Sequence, residues 1–492
     1  MTLVHRVLSP KPVPTLGDYT RRFGGGAGLR KAHSESAESV IEVLADAGLR
    51  GRGGAGFPTA RKWRTVLENA SASKPTTVIV NAAEGEPGTF KDRTILRCNP
   101  YQVIEGALVA AHVLDASTII IALKRSFPAD VARVRSAISE VREAGWDDGV
   151  DLVVFEGPDE YLYGEETALL ETLEGRLPFP RIAPPFRRGM SGLVQGGEGE
   201  EATGLAARVQ MAGADDASQA PPALIDNVET LANIPKILDR GAAWFRTEGT
   251  DESPGTIVCT ITGQVRRPGV GEVLMGTTLR EAIEEIGGGA RAGATITAVM
   301  PGVSNAIVPA HLLDTPLTYE AMAAIGSGLG SGGYWVLDDS VDPVAAVAGV
   351  SRFLAIESCG QCSPCKQDGL VLADLLEELA ASRVTREDVD ELRRRATTVA
   401  TGARCSLGIQ HQDIVAGLLT YFAPEVAAHR HKSAAGTQVI AVAELVDISE
   451  SAVQIDDRHQ HKQPDWTYTP TWGGESPVER FIDHRAHEEL ES

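Results

Sequence analysis

Thr77-Val-Ile-Val80, followed by Asn81-Ala-Ala-Glu-Gly-Glu-Pro-Gly-Thr89, decides how the chain folds. A short apolar strand runs into a loop rich in glycine and acid. Beyond it, residues 101–114 read as a helix, 118–123 as a strand, 128–144 as a helix and 151–155 as a strand. Strands alternating with helices at this spacing predict βαβ units and a parallel sheet. Ligands of such sheets bind beyond the carboxyl ends of the strands, which is where the 81–89 loop falls. Upstream, 36–47 reads as a helix stopped by Gly48, after a lead-in of about 30 irregular residues. Downstream, 165–174 and 227–238 are helical, while 187–222 is a Gly-, Ala-, Glu- and Gln-rich stretch without period, read as a surface insertion.

A second region begins near Gly255. Residues 256–262, 272–275, 298–301 and 334–337 are strand-like, 279–286 is helical, and Gly326 to Gly333 is a glycine-rich loop. A third region holds four helices, at 344–356, 369–381, 386–400 and 410–423, which suggests a bundle. Thr385 caps the third of these, with Asp388 at the box position. The division expected is a lead-in and helix at 1–48, an α/β ligand domain at 49–250, a small α+β module at 251–340, a helical domain at 341–430 and a polar tail at 431–492, read as extended or ordered by a partner.

Composition narrows the function. Among 492 residues, 46 Lys and Arg face 67 Asp and Glu, a net charge of −21. Such a chain does not offer a nucleic-acid or anionic-membrane surface, and 5% aromatic residues do not make a base-stacking platform. Local basic pockets for anionic ligands are compatible with that balance. No apolar leader opens the sequence, and no run of 18 apolar residues spans a bilayer. The compartment expected is the cytoplasm, or the cytoplasmic side of a membrane-associated complex.

Six cysteines are too few for a disulfide scaffold at this length, and three of them form Cys359-Gly-Gln-Cys362-Ser-Pro-Cys365. Thiolates at this spacing wrap three corners of a compact inorganic cube. Cys405, between the third and fourth helices, is the candidate fourth ligand. A [4Fe–4S] cluster is favoured over zinc, which more often uses two separated Cys pairs. Cys98 and Cys259 have no motif partner and read as small buried hydrophobes. Gly51-Arg-Gly-Gly-Ala-Gly56 fits G-x-G-x-x-G but follows a helix, so it is a phosphate loop or an ordinary glycine turn. Glu84, Glu86, Glu165 and Glu166 form two acidic loops, each a site or a solvated face. His429/His431 and His459/His461 are spaced to chelate a metal but sit among polar residues, where solvation is the simpler reading.

Taken together, GLRGRGGAGFPTARKW (48–63), NAAEGEPGTFKDR (81–93), YGEETALLETLEG (163–175), DNVETLANIP (226–235), ESCGQCSPCKQDG (357–369) and Cys405 resemble one family. It is the 51 kDa-type, NADH-oxidising flavoprotein subunit of complex I, with the diaphorase subunits of NAD-linked hydrogenases and formate dehydrogenases. The resemblance implies a Rossmann-like FMN domain, then a β-grasp module, then a helical bundle carrying [4Fe–4S]. It places Arg52, Gly53 and Lys62 near the FMN phosphate, with Asn81, Glu84, Gly164, Glu165 and Asn227 around the rest of the flavin. NADH would meet Phe57, Glu86, Tyr161, Glu166 and Phe186, with Glu166 the acid beside the nicotinamide. Cys359, Cys362, Cys365 and Cys405 would hold the cluster. The implied partners are a thioredoxin-like [2Fe–2S] subunit and a larger iron–sulfur, molybdenum or nickel–iron catalytic subunit.

Three positions depart from the family pattern. Ala83 stands where relatives carry Asp, Thr65 where an aromatic is usual, and Ala183 where a basic residue precedes Pro-Pro-Phe. They remove a polar flavin contact, an adenine-stacking partner and a cation. Two alternatives follow: the same relay serving a donor other than NADH, or a non-catalytic iron–sulfur assembly subunit.

Overall fold

The computed structural model describes residues 3–70, 75–190, 220–449, 452–469 and 475–481. Four parallel strands, β1 (Thr77–Asn81), β2 (Thr118–Lys124), β3 (Asp151–Gly157) and β4 (Ala223–Asn227), lie in the order β3-β2-β1-β4. Val78, Ile79 and Val80 of β1 and Ile119, Ile120 and Ile121 of β2 are all fully buried. Continuous apolar runs of this kind are what a sheet covered on both faces requires. The chain steps outward from β1 to β2 and β3, then crosses to β4 on the other side of β1. That crossing creates a switch point between β1 and β4, where Asn81 and Asn227 pair in register at the strand ends.

The β4 strand departs from the sequence expectation: five residues ending in Asp-Asn, next to the aperiodic 187–222 stretch, carry little strand signal. Residues 191–219 of that stretch lie outside the described residues. The lead-in is more ordered than its composition implies. Helices Leu16–Phe23 and Ala27–His33 pack there, with Tyr19 buried and its hydroxyl donating to Glu105 at 2.7 Å. Helix Thr59–Asn69 follows the glycine loop, and helix Lys91–Cys98 follows the acidic one.

A second, mixed sheet contains β5 (Thr256–Gly263), β6 (Gly269–Leu274), β7 (Ile296–Pro301), β8 (Val308–Pro309) and β9 (Gly333–Asp338), in the order β6-β5-β9-β7-β8. Helix Leu279–Gly287, closed at its start by a Thr278/Glu281 capping box, packs on it in a β-grasp arrangement. Helices Pro343–Glu357, Ser363–Ala380, Arg386–Thr398 and Leu407–Tyr421 form the bundle, with the Thr385/Asp388 box in place. A fifth, short helix, Ala423–Arg430, follows, with Pro424 in its first turn. No helix among the described residues is long and apolar enough to cross a membrane.

The tail differs from its expected extended state. Its described part forms a hairpin, β10 (Leu445–Ile448) with β11 (Val453–Ile455), then a 3₁₀ turn at Asp457–His461. Lys462 and Trp466 are buried against the rest of the protein. Pro470, Trp472, His484 and His487 lie outside the described residues.

The N-terminal arm is fixed by one carboxylate. Glu272 of β6 accepts backbone N–H bonds from Arg6, Val7 and Leu8 at 2.8 to 3.2 Å, and the Thr256 hydroxyl donates to it at 2.6 Å. Burial outweighs these bonds and pushes its carboxyl up from 4.5 to about 7. The folded chain therefore holds this proton more tightly than the unfolded chain. The corresponding stability is full below pH 4.5 and lost as pH rises through 7. Melting temperature is expected to fall across that window, and Glu272→Gln to flatten the fall. A Glu272→Gln variant whose profile keeps the wild-type slope contradicts this assignment.

Candidate functional site: a cleft at the switch point and a neighbouring thiol cavity

A cleft of about 500 Å³ opens at the carboxyl ends of β1 and β4. That is within the range of small-molecule and cofactor sites. Its floor is the glycine loop, closed where Gly51 N–H donates to the Phe57 carbonyl at 2.8 Å. Gly56 holds φ +62°, and a Cβ there would overlap the Tyr319 ring, so this corner needs glycine. Gly51, Gly53 and Gly54 bring bare backbone to the cleft, as an anion cradle requires.

Arg52 does not reach it. Its guanidinium turns into the interface with the β-grasp module, donating to the Tyr319 hydroxyl and the Pro254 carbonyl, both at 3.1 Å. Its backbone N–H donates to Thr230 at 2.8 Å, and the buried Nε has no partner. Lys62, one turn into the following helix, does face the cleft. Its ammonium donates to the Ile225 carbonyl at 2.6 Å and pairs with Glu166 and Asp226. Burial works against that charge, but the two carboxylates outweigh it and raise the lysine above its ordinary value.

The 81–89 loop supplies one wall. Asn81 donates to the Gly164 carbonyl at 2.8 Å, fixing the two loops together. Glu84 is buried, accepting from the Asp92 N–H at 3.0 Å and Arg93 Nε at 2.9 Å. Glu86 reaches the β-grasp module, accepting from Val303 N–H at 3.1 Å and from the Ser331 hydroxyl. Burial raises its carboxyl, partly offset by those hydrogen bonds. Asn227 caps the helix Val228–Arg240 and donates to Asp92 at 2.7 Å. Glu165 caps the helix Glu166–Leu173, accepting from Thr167 and Ala168. One of its oxygens, Oε2, is therefore committed to the fold, whereas Glu166 keeps 42% of its side chain exposed. Phe57, 43% exposed, stands at the glycine loop's end.

Of the thirteen residues assigned to FMN or NADH, Gly53, Phe57, Lys62, Asn81, Glu84, Glu86, Tyr161, Gly164, Glu165, Glu166 and Asn227 line this cleft. Arg52 and Phe186 do not. Phe186 follows Pro185, whose carbonyl accepts from Ala223 at the first residue of β4, the opposite end of the strand from Asn227. The cleft also takes in residues not anticipated: Asp92 and Asp226, Ser304, Asn305 and Ser331 of the β-grasp module, and Ser406, Leu407, Ile409 and Gln410 of the bundle. The FKDR and DNVET stretches carry the first two. Nothing local marks the others, because they arrive from distant parts of the chain.

Lys62 is the one basic side chain lining the cleft among the described residues, against Glu84, Glu86, Asp92, Glu165, Glu166 and Asp226. The basic pocket compatible with the composition is therefore not formed by side chains. A phosphate here would rest on glycine-loop N–H groups and Lys62.

Behind the cleft, Cys359, Cys362, Cys365 and Cys405 line one small cavity. Cys362 sits at the N-cap of helix Ser363–Ala380, whose dipole favours negative charge. Gln361 donates to Cys359 Sγ at 3.5 Å and to the Pro180 carbonyl at 2.9 Å. Burial pushes the Cys365 thiol to about 11 and Cys405 to about 12, so thiolates need bound cations to persist there. No three Cys, His, Asp or Glu side chains among the described residues converge as one metal ion requires. Four thiols lining one cavity at a helix N-terminus are a donor set that an iron–sulfur core takes. The histidine pairs do not chelate: His429 pairs with Asp342 and His459 with Glu357. Leu162 and Leu407 line both the thiol cavity and the cleft. Tyr161 adds a hydroxyl hydrogen bond to Gln410 at 3.3 Å.

Comparison with known proteins agrees with this layout. Residues 44–236 match the Nuo51 FMN-binding domain, 258–302 the SLBB domain, and 345–429 the NADH-ubiquinone oxidoreductase-F iron–sulfur binding region. The chain is 37% identical over 416 residues to an F-type subunit of NADH-quinone oxidoreductase from Rhizobium meliloti, covering 82% of this chain and 92% of that one. It is 35% identical over 421 residues to the F-type subunit of the same enzyme from Streptomyces coelicolor, covering 84% and 87%. A crystal structure of an NAD+-reducing [NiFe]-hydrogenase in its H2-reduced state superposes with a TM-score of 0.71 at 32% identity. That match covers 86% of this chain and spans 66% of the hydrogenase chain. The chain belongs to the family of F-type NADH-quinone oxidoreductase subunits, with that family's FMN-binding domain and its iron–sulfur region.

Proposed function

We propose that the switch-point cleft binds FMN and NADH together, and that electrons leave through a [4Fe–4S] cluster on Cys359, Cys362, Cys365 and Cys405. The observation that carries this reading is the shared wall: Leu162 and Leu407 line both cavities. Two cofactors so placed are separated by one layer of apolar side chains. Bound FMN supplies the conversion of a two-electron hydride donation into single-electron steps.

The remaining work belongs to the chain. Gly53 and its neighbours offer backbone to the flavin phosphate, with Lys62 as its cation. Asn81, Glu84, Gly164, Glu165 and Asn227 frame the rest of the flavin. Glu165, as a helix cap, and Glu84, held by Arg93, are rigid walls. Phe57, Glu86, Tyr161 and Glu166 face the nucleotide, and Glu166, held by Lys62 with 42% of its side chain exposed to the cleft, orients the nicotinamide. The surplus of carboxylates opposes retention of an anionic dinucleotide and so favours product release. Ala83 presents a methyl to the cleft, and its N–H donates to Asn81 at 3.2 Å. The same division of labour assigns 49–250 to flavin and nucleotide, 251–340 to the β-grasp contacts and 341–430 to the cluster. The chain acts as one subunit of a larger oxidoreductase, delivering electrons to a thioredoxin-like [2Fe–2S] subunit and a larger iron–sulfur, molybdenum or nickel–iron subunit. Phe186 enters the nucleotide site only if its loop moves from the start of β4.

Anaerobic holoprotein mixed with excess NADH is expected to lose its flavin absorbance; flavin that stays oxidised with NADH but bleaches with another donor gives the reaction to that donor. Glu166→Gln is expected to raise KM for NADH about tenfold with a smaller change in kcat, about the energy of one charge-assisted hydrogen bond. Wild-type protein should contain about four iron and four sulfide per chain. Cys405→Ser should lose most of that iron while keeping FMN. One zinc per chain, or a Cys405→Ser variant with full iron, ends the cluster assignment.

A further inference from the structure

Residues 439–466 lie beyond all three family matches, the last of which ends at 429. The described part of this segment, 439–449 and 452–466, meets the helix Pro343–Glu357 at both ends, with Ile440 N–H donating to the Ala345 carbonyl at 3.3 Å and Trp466 Nε1 donating to the Ile356 carbonyl at 3.0 Å. It places one buried ion cluster behind each redox-site loop.

The first lies under the acidic loop. Glu444 accepts from Lys124 Nζ at 2.7 Å, and Lys124 is buried directly beneath Gly85, where a Cβ would overlap its ammonium. Arg93 Nη1 donates to the Leu445 carbonyl at 2.6 Å, while its Nε holds Glu84 at 2.9 Å. Among the described residues, Glu444 is the only carboxylate paired with Lys124. The second cluster lies beneath the cysteine loop. Glu357, two residues before Cys359, accepts from Lys462 Nζ at 2.8 Å, lies 2.9 Å from His459 Nε2 and accepts from Tyr161 N–H at 3.1 Å. Lys462, the one ammonium paired with Glu357 among the described residues, and His459 both come from this segment.

A buried charge whose partner is removed is strongly unfavourable, and the structure around it shifts to find water. Without this segment, Lys124 below the flavin loop keeps only the Asp159 carbonyl at 3.0 Å and no carboxylate, and Glu357 below the cluster loop keeps Tyr161 N–H but no ammonium. We propose that residues 439–466 are a strap that positions both redox loops, Glu444 acting through Lys124 and Arg93 on Glu84–Glu86, and Lys462 acting through Glu357 on Cys359 and Tyr161. The inference rests on the cleft being the flavin site. Glu444 and Lys462 are positioning residues, lining neither the cleft nor the thiol cavity.

The test uses full-length reconstituted protein carrying Glu444→Gln, Lys462→Met or Lys462→Arg. FMN affinity is read by fluorescence, iron loss to a chelator by absorbance, and the reduced cluster by electron paramagnetic resonance. Glu444→Gln is expected to weaken FMN binding on the order of tenfold, the worth of one charge-assisted hydrogen bond, with iron loss unchanged. Lys462→Met is expected to speed iron loss by a similar factor and alter the resonance spectrum, with FMN affinity unchanged. Lys462→Arg, which keeps the cation, should restore both cluster readouts. The proposal is overturned if both variants shift both readouts together in step with melting temperature, or if neither readout moves. Wild-type protein that takes up no FMN overturns the cleft reading itself, and the strap's flavin role with it.

Discussion

A buried lysine holds the architecture together. Lys91 is 1% exposed and sits 2.7 Å from Asp92, 2.9 Å from Glu229 and 3.2 Å from Asn227. Burial alone would strip its proton, yet the neighbouring carboxylates hold the ammonium well above its ordinary value. Asp92 is itself pushed up to about 6 by burial. Glu229 also accepts from the Val258 N–H at 2.9 Å, so the same carboxylate grips β5 of the second sheet. Removing one member of such a knot costs about 3–5 kcal/mol, because the others remain buried and charged. Its members come from the acidic loop's helix, from the end of β4 and from the helix behind it. Two of them, Asp92 and Asn227, line the switch-point cleft, so the knot and the cleft share a wall.

The parallel sheet is legible in the sequence because β1 and β2 are apolar on both faces, a pattern with few other solutions. The cysteine run is legible because its spacing is itself the geometry of the site. Arg52 shows where local reading stops. A guanidinium among glycines looks like a phosphate ligand, but its partners Tyr319 and Pro254 lie more than 200 positions away. Nothing near residue 52 encodes them. Glu165 and Glu166 make the same point at closer range. Adjacent identical carboxylates take different roles because one falls at a helix cap and the next falls one position inside. The tail escapes local reading for a related reason: Glu444, His459 and Lys462 are not solvated but matched with charged groups in the domains before them.

The acidity of the chain has a local expression. With net charge −21 and six carboxylates around one lysine in the cleft, attraction between side chains and phosphate is weak. Peptide N–H groups carry partial positive charge without adding a titratable group, so the glycine loop can hold an anion while the surrounding carboxylates discourage a second one from staying. On the proposed function, backbone N–H groups would favour the resident flavin while the carboxylates would hasten loss of the transient nucleotide.

The order of the chain adds a temporal dimension to the strap. A ribosome releases the β1–β4 sheet, then the β-grasp module, then the bundle, and only afterwards residues 439–466, and domains tend to fold in that order. During synthesis the two loops that the strap braces are accessible from behind, and Lys124 and Glu357 are still hydrated. Cofactor insertion thus has an interval in which the binding loops are formed but not yet locked. Once Glu444 and Lys462 dock, exchange of the flavin would mean loosening the Glu444–Lys124 pair, and exchange of the cluster the Lys462–Glu357 pair. On the strap proposal, loading during synthesis would precede closure, and closure would make the loaded state persistent.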